Sequence, residues 1–257
     1  MRSDIRFVAA VVLALVAGFV TPSTSYAQLK VIASGGFRSA YNAALPDFER
    51  TSGVTVTTGS GASQGDGPNT IGAQLRRGVP FDLVIMAKEG LEDLAKEGRL
   101  VSGTAVDLAS TPVGVAIRAG APKPDLSTVD AFKRTLLNAT RIGYVNSTVG
   151  IYLTTKLFRQ LGIADQIASR LDPRGVAAVA SGEVEISIQP LSELTHVAGT
   201  DVAGLLPKEI QYISVFSAAV VTGAQQTDAA RQLIAYLSSA RADAAMTTAG
   251  MEPLRAK

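Results

Sequence analysis

The sequence predicts an α/β fold made of parallel βαβ units, and three observations predict it. Short apolar runs alternate with longer helical patterns through the first hundred residues. The run FDLVIM (81–86) is apolar except for Asp82, as a strand covered on both faces should be. Gly53, Gly78 and Gly98 stand where successive helical patterns stop, the usual place for a helix-ending glycine.

Before these elements comes a segment that reads as an export signal. Arg2 and Arg6 precede the 14-residue apolar run FVAAVVLALVAGFV (7–20), and Ser25 and Ala27 supply the small residues of a peptidase site. The run is short for a membrane span. Cleavage after Ala27 would leave 28–257, a 230-residue chain with no second apolar run of spanning length. Without Arg2, Arg6 and Asp4, 22 basic residues balance 21 acidic ones, unlike the basic field of a nucleic-acid binder. The chain has no Cys, which excludes disulfides, zinc–thiolate sites, a Cys nucleophile and a Cys-linked lipid anchor. A monomer in the periplasm is expected, with no membrane insertion after cleavage.

In order, strands are predicted at LKVIA (29–33), VTVTT (54–58) and FDLVIM, with helices over 38–52, 69–77 and 89–97. LASTP (108–112) leads into PVGVAIRAG and a Pro-rich loop. Ser127 and Asp130 then form a capping-box pattern opening a helix over 128–138. RIGYV (141–145) and VEISI (184–188) read as strands, with helices over 149–161 and 174–181 around them. The long apolar strand QYISVFSAAVV (211–221) precedes a helix over 227–239 and a last helix ending at Gly250. Two α/β lobes are expected, with crossings near 110 and 215: 28–110 plus 216–257, and 111–215.

The carboxyl ends of four strands carry small or hydroxylated residues, where open α/β sheets bind ligands. They are Ser34-Gly35-Gly36, the loop GSGASQGDGPNT (59–70), NSTVGIY (146–152) and Gln189-Pro190. At least three lead into helix N-termini, whose bare N–H groups and dipole favour an anion. Gly, Ser and Thr also serve plain turns and caps at such junctions. No cofactor motif and no metal-ligand spacing accompanies them, and a single His with no acidic partner argues against a serine hydrolase.

The run QLRRGVPFDLVIMAKEGLEDLAKEGRL (74–100), with SGEVEISI (181–188) and the C-terminal LIAYLSS and AGMEPL, resembles the periplasmic molybdate-binding protein family over 29–254. That resemblance implies a type II periplasmic-binding fold, two α/β lobes joined by two hinge crossovers with the ligand cleft between them. It also implies an ABC permease as partner. The family's oxyanion contacts fall on these loops: at Gly36 with Ser34 two residues earlier, at Ser60 or Ser63, at the helix-opening Val149-Gly150-Ile151-Tyr152, and at Gln189-Pro190; Gly35, Gly61 and Thr148 join them as candidate ligand contacts. Gly36 takes the place of a customary Ser, Gln189-Pro190 replaces a Tyr, and QGDGPN lengthens the second loop. These departures point away from molybdate toward a larger anion such as an organic carboxylate. SGGF-x-x-AY together with Y-x-x-S-x-x-G-x-Y (144–152) is also similar to a branch that includes aconitate isomerase.

Around these contacts, Phe37 and Tyr152 are read as lining the cleft or the hinge core, and Tyr41 as reaching the same wall. Arg38 either pairs a ligand carboxylate or points to solvent. Asp66 is read as a turn residue, His196 as structural, and Asp82 and Asp107 likewise. The expectation is a solute-binding protein serving an ABC importer, the alternative an aconitate isomerase-like enzyme with an unidentified base.

Overall fold

The computed structural model describes residues 28–255. The expected signal segment lies outside the described residues. The first sheet runs in the order β2 (Val56–Ser60), β1 (Leu29–Ala33), β3 (Leu83–Ala87), β9 (Ile213–Val220), β4 (Val106–Arg118). β1 pairs in parallel with both β2 and β3, while β9 runs antiparallel to β3 and to β4. Helices α1 (Gly35–Ser52), α2 (Ile71–Arg76) and α3 (Lys88–Lys96) make the crossovers.

Alternation along the strands builds two cores in this lobe. Val31, Ala33, Leu83 and Ile85 face one apolar cluster with Phe37, Tyr41 and Phe48, while Ile32, Val84 and Met86 face a second with Leu75, Leu91 and Leu94. Successive strand side chains point to opposite faces, and both faces here are covered. That is why FDLVIM shows no polar alternation. Asp82 is the exception, buried and accepting from the amides of Lys30, Gln225 and Gln226. It anchors β1 to the start of α10 (Thr227–Leu237).

β4 carries the chain into the second sheet. Its residues Val106–Pro112 pair with β9, and Val113–Ile117 pair with β7 (Ile186–Pro190). β7 pairs in parallel with β5 (Ile142–Gly143), which pairs in parallel with β6 (Leu171–Asp172), and β8 (Thr200–Leu205) pairs antiparallel with β4. Val113, Val115, Ile117, Ile186 and Ile188 pack with Phe132, Leu153, Leu157 and Phe158 into a separate apolar cluster. The remaining helices here are α4 (Val129–Asn138), α5 (Thr148–Tyr152), α6 (Phe158–Gln160), α7 (Ala164–Ile167), α8 (Val176–Ala180) and α9 (Leu191–Leu194). A π turn, Leu153–Leu157, joins α5 to α6 without a break. α11 (Asp243–Thr248) and β10 (Glu252–Pro253) close the described chain on the first lobe.

Four local expectations need correction. α1 starts at Gly35, so Ser34-Gly35-Gly36 is a helix cap and first turn rather than a free loop. The cap of α4 is Thr128, which accepts from Ala131 N, while the Ser127 hydroxyl donates to Asp125. β5 is two residues long: Tyr144 N still bonds to Asp172 O and Val145 makes an isolated antiparallel bridge with Arg174, after which the chain turns into α5. β8 has no alternating pattern and was not expected. It pairs antiparallel with the edge of β4.

Candidate functional site

A cavity of about 550 Å³ opens between the two sheets. It lies at the carboxyl ends of β1, β2, β3, β5 and β7, as the rule for open parallel sheets requires. From one side come Ser34, Gly35 and Gly36 at the start of α1, Ser60 to Ser63 with Asn69 and Thr70 between β2 and α2, and Ala87 after β3. From the other come Val145 to Val149 entering α5, and Pro190 with Glu193 around α9. β9 contributes Ser214 and Phe216, two residues apart and so on one face of the strand. Among the described residues, no Lys or Arg lines this cavity.

Its polarity comes from hydroxyls and amides. Ser34 and Ser214 are 2% and 1% exposed, and neither hydroxyl oxygen finds a hydrogen-bond partner among the described residues. Leaving such a group unmatched costs about 1–3 kcal/mol. The amides of Gly35 and Gly36, which open the 18-residue α1, have no intrahelical acceptor and carry the positive end of its dipole. Other hydroxyls are already engaged. Ser63 Oγ accepts from Ala87 N at 2.9 Å, Thr70 caps α2, and Thr148 donates to Gln64 Oε1 at 3.0 Å.

Thr148–Gln64 also crosses between the lobes. A Cβ on Gly65 would stand 3.1 Å from Asn146 O, so the long second loop abuts the turn before α5. A second tie lies behind the cavity. The Tyr212 hydroxyl donates to Glu89 on α3, and its ring stacks on Tyr152 with centroids 4.7 Å apart. Burial, then the Glu89 carboxylate, push the Tyr212 phenol up.

Among the described residues, Glu193 is the one carboxyl in the lining. Its Oε1 would stand 3.5 Å from a Cβ on Gly35, so the group sits against the first turn of α1. Its Oε2 accepts from Gln189 Nε2 at 2.5 Å. Desolvation raises its pKa above the ordinary carboxylate range, opposed by the Gln189 hydrogen bond. Gln189 is itself held, because its Oε1 accepts from Val176 N at 2.6 Å and from Ser187 Oγ at 2.8 Å.

The structure thus brings together eight of the expected residues, namely Ser34, Gly35, Gly36, Ser60, Gly61, Ser63, Thr148 and Val149. The other five do not line the cavity. Phe37 is fully buried in the first core behind Phe216. Arg38 donates to the carbonyls of Ala33 and Gly59, tying β1 to β2. Gly150 is buried beneath the turn, where any Cβ would collide with the Val145 carbonyl. The Tyr152 hydroxyl donates to Ile210 O, and the Gln189 amide is consumed by Glu193 and α8. Tyr41 is likewise buried, bonded to Thr58.

Gly36 owes its lack of a side chain to packing, since a Cβ there would penetrate the Phe216 ring. The expected loss of a ligand hydroxyl at that position therefore has a structural cause. Glu193, Ser214 and Phe216 were missed. For Glu193 the available signal was an acid three residues beyond a strand end, in QPLSEL. For Ser214 and Phe216 it was their i, i+2 spacing on the long apolar strand 211–221. No group of three His, Cys, Asp or Glu side chains fit for a metal occurs among the described residues.

Comparison with known proteins places this geometry in context. The profile of the bacterial extracellular solute-binding protein family matches residues 29–252. An aconitate isomerase of a Pseudomonas species is 36% identical over 234 residues, 89% of each chain. The Azotobacter vinelandii periplasmic molybdate-binding protein superposes with a TM-score of 0.71 at 20% identity, covering 90% of this chain and 100% of that one. The periplasmic binding protein AgtB of A. tumefaciens R10, in complex with agropinic acid, gives 0.66 at 15% identity, covering 88% and 83%. The architecture is the two-lobe type II periplasmic-binding fold.

Proposed function

The chain belongs to the bacterial extracellular solute-binding protein family, and from that membership we propose that it captures a small organic polycarboxylate in its interlobe cavity. The observation that carries this reading is the pair of buried, unpartnered hydroxyls, Ser34 and Ser214, facing a cavity headed by the first turn of α1. Hydroxyls and amides hold a carboxylate without a lysine or arginine, through charge-assisted hydrogen bonds. The volume, about 550 Å³, lies in the range of sites for multi-atom organic ligands and is generous for a four-oxygen anion. The protein would be exported by residues 1–27 and close its lobes, 28–110 plus 216–257 and 111–215, on the ligand. Closure follows because the ligand touches both lobes only when they meet. The closed form would then be read by an ABC importer.

The 36% identity with an aconitate isomerase over 89% of each chain supports a second reading, in which the same cavity turns over its ligand. Titration calorimetry of residues 28–257 with trans-aconitate, cis-aconitate, citrate and molybdate tests the carboxylate assignment. At least one carboxylate is expected to bind with a micromolar constant and molybdate to give no heat. Molybdate binding with silent carboxylates would overturn it.

A further inference from the structure

The isomerase reading lacks a group to carry the proton, and the cavity contains one candidate. Glu193 is the only carboxyl in the lining, and it projects from one lobe against the α1 turn of the other. Among the described residues, no other ionisable side chain lines the cavity. Of the elements packed around it, α1 brings Arg38, whose guanidinium is spent on the Ala33 and Gly59 carbonyls. β7 brings the neutral Gln189, and β9 brings Ser214 and Phe216. Gln189 positions Glu193 through one donated hydrogen bond to Oε2, leaving Oε1 on the Gly35 side.

We propose that Glu193 is the acid–base group of this cavity, moving a proton across the allylic system of an unsaturated tricarboxylate. The assignment rests on the carboxylate reading above. In the forward step the ionised Glu193 takes a proton from the methylene carbon beside a ligand carboxylate. The C–H bond breaks, an O–H bond forms on Glu193, and the released electron pair becomes the new C=C bond. The former C=C pair moves to the far carbon, which takes the proton back from Glu193. The double bond has shifted one position, nothing is oxidised or reduced, and the enzyme is unchanged. Charge developing on the ligand carboxylates faces the α1 amides and the Ser34 and Ser214 hydroxyls, donors placed to stabilise it. A base lifted out of the ordinary carboxylate range is better matched to such a weak carbon acid.

The test uses residues 28–257 as wild type, Glu193→Gln and Glu193→Asp, with trans-aconitate as the probe. Calorimetry reads binding, and proton NMR in heavy water reads deuterium entry into the methylene group and appearance of the cis isomer. Wild type is expected to do both, and E193Q to bind within a few-fold of wild type while exchange falls by about 10²–10⁴-fold, the usual worth of a general base. E193D, which keeps the carboxyl on a shorter arm, should retain part of the rate. Exchange by E193Q within tenfold of wild type would overturn the assignment, and so would a wild type that binds without exchange. A wild type that binds none of the carboxylates would instead sink the carboxylate reading and this one with it.

Discussion

Three side chains give the cavity its chemistry, and each does so by lacking something. Ser34 and Ser214 lack partners, and Glu193 lacks a counter-charge. Ser34→Ala and Ser214→Ala are therefore expected to leave the melting temperature of the free protein unchanged or slightly higher. Each should weaken carboxylate binding by roughly ten- to a hundredfold, the loss of one hydrogen bond to a charged group. Calorimetry and melting on the same samples separate the two effects, and a large loss of stability without ligand would contradict the assignment. For Glu193 the sign of the pH dependence follows from its raised pKa. The folded state holds this proton more tightly than the unfolded chain, so its contribution is present below the ordinary value of 4.5 and lost as pH rises through the raised one. E193Q should match wild type near pH 4 and melt higher than wild type at pH 8.

At the scale of elements, the site depends on how closely α1 approaches β9. Gly36 lets the first turn of the helix lie directly on the Phe216 ring, and this contact aims the α1 amides at the cavity. Gly36→Ala is expected to destabilise the protein by about 1–3 kcal/mol through overpacking. Adding Phe216→Leu should restore most of that loss, which denaturant unfolding of the single and double variants would reveal. Gly150 plays the matching part in the other lobe, bringing α5 against the Val145 carbonyl. α1 was legible in outline because Gly53 ends it with φ 72° and its apolar face is regular. Its true start was not, since nothing local distinguishes a Gly-Gly loop from a Gly-Gly first turn.

For the molecule as a whole, the decisive contacts join the lobes. Tyr212 and Glu89 are 123 residues apart in sequence, and Gln64 and Thr148 are 84 apart. Glu89 Oε2 is buried with no partner of its own, so Tyr212 is the hydrogen-bond donor holding that carboxylate. Tyr212→Phe should cost about 1 kcal/mol in melting experiments, by leaving the half-buried Glu89 carboxylate without its donor. It should also raise the radius of gyration of the ligand-free protein in solution scattering. An unchanged radius with normal stability would show that this tie does not hold the lobes together.

Local chemistry determined a good deal from the sequence alone. Strand and helix periods, glycine stops and hydroxylated strand ends are properties of neighbouring residues, and they specified the α/β class, the helix order and eight of the cavity-lining residues. Only the tertiary structure decided which polar groups remain available to a ligand. Arg38, Tyr152 and Gln189 carry suitable chemistry, yet each meets a scaffold partner that removes it from the cavity. Ser214 and Phe216 enter from β9, far along the chain from the loops they complete, and Glu193 enters from α9, just past Gln189-Pro190. The physical reason is that a hydrogen bond or a packed ring is satisfied by whatever the fold brings near. No spacing along the chain records which of two equally polar side chains will be left unpaired.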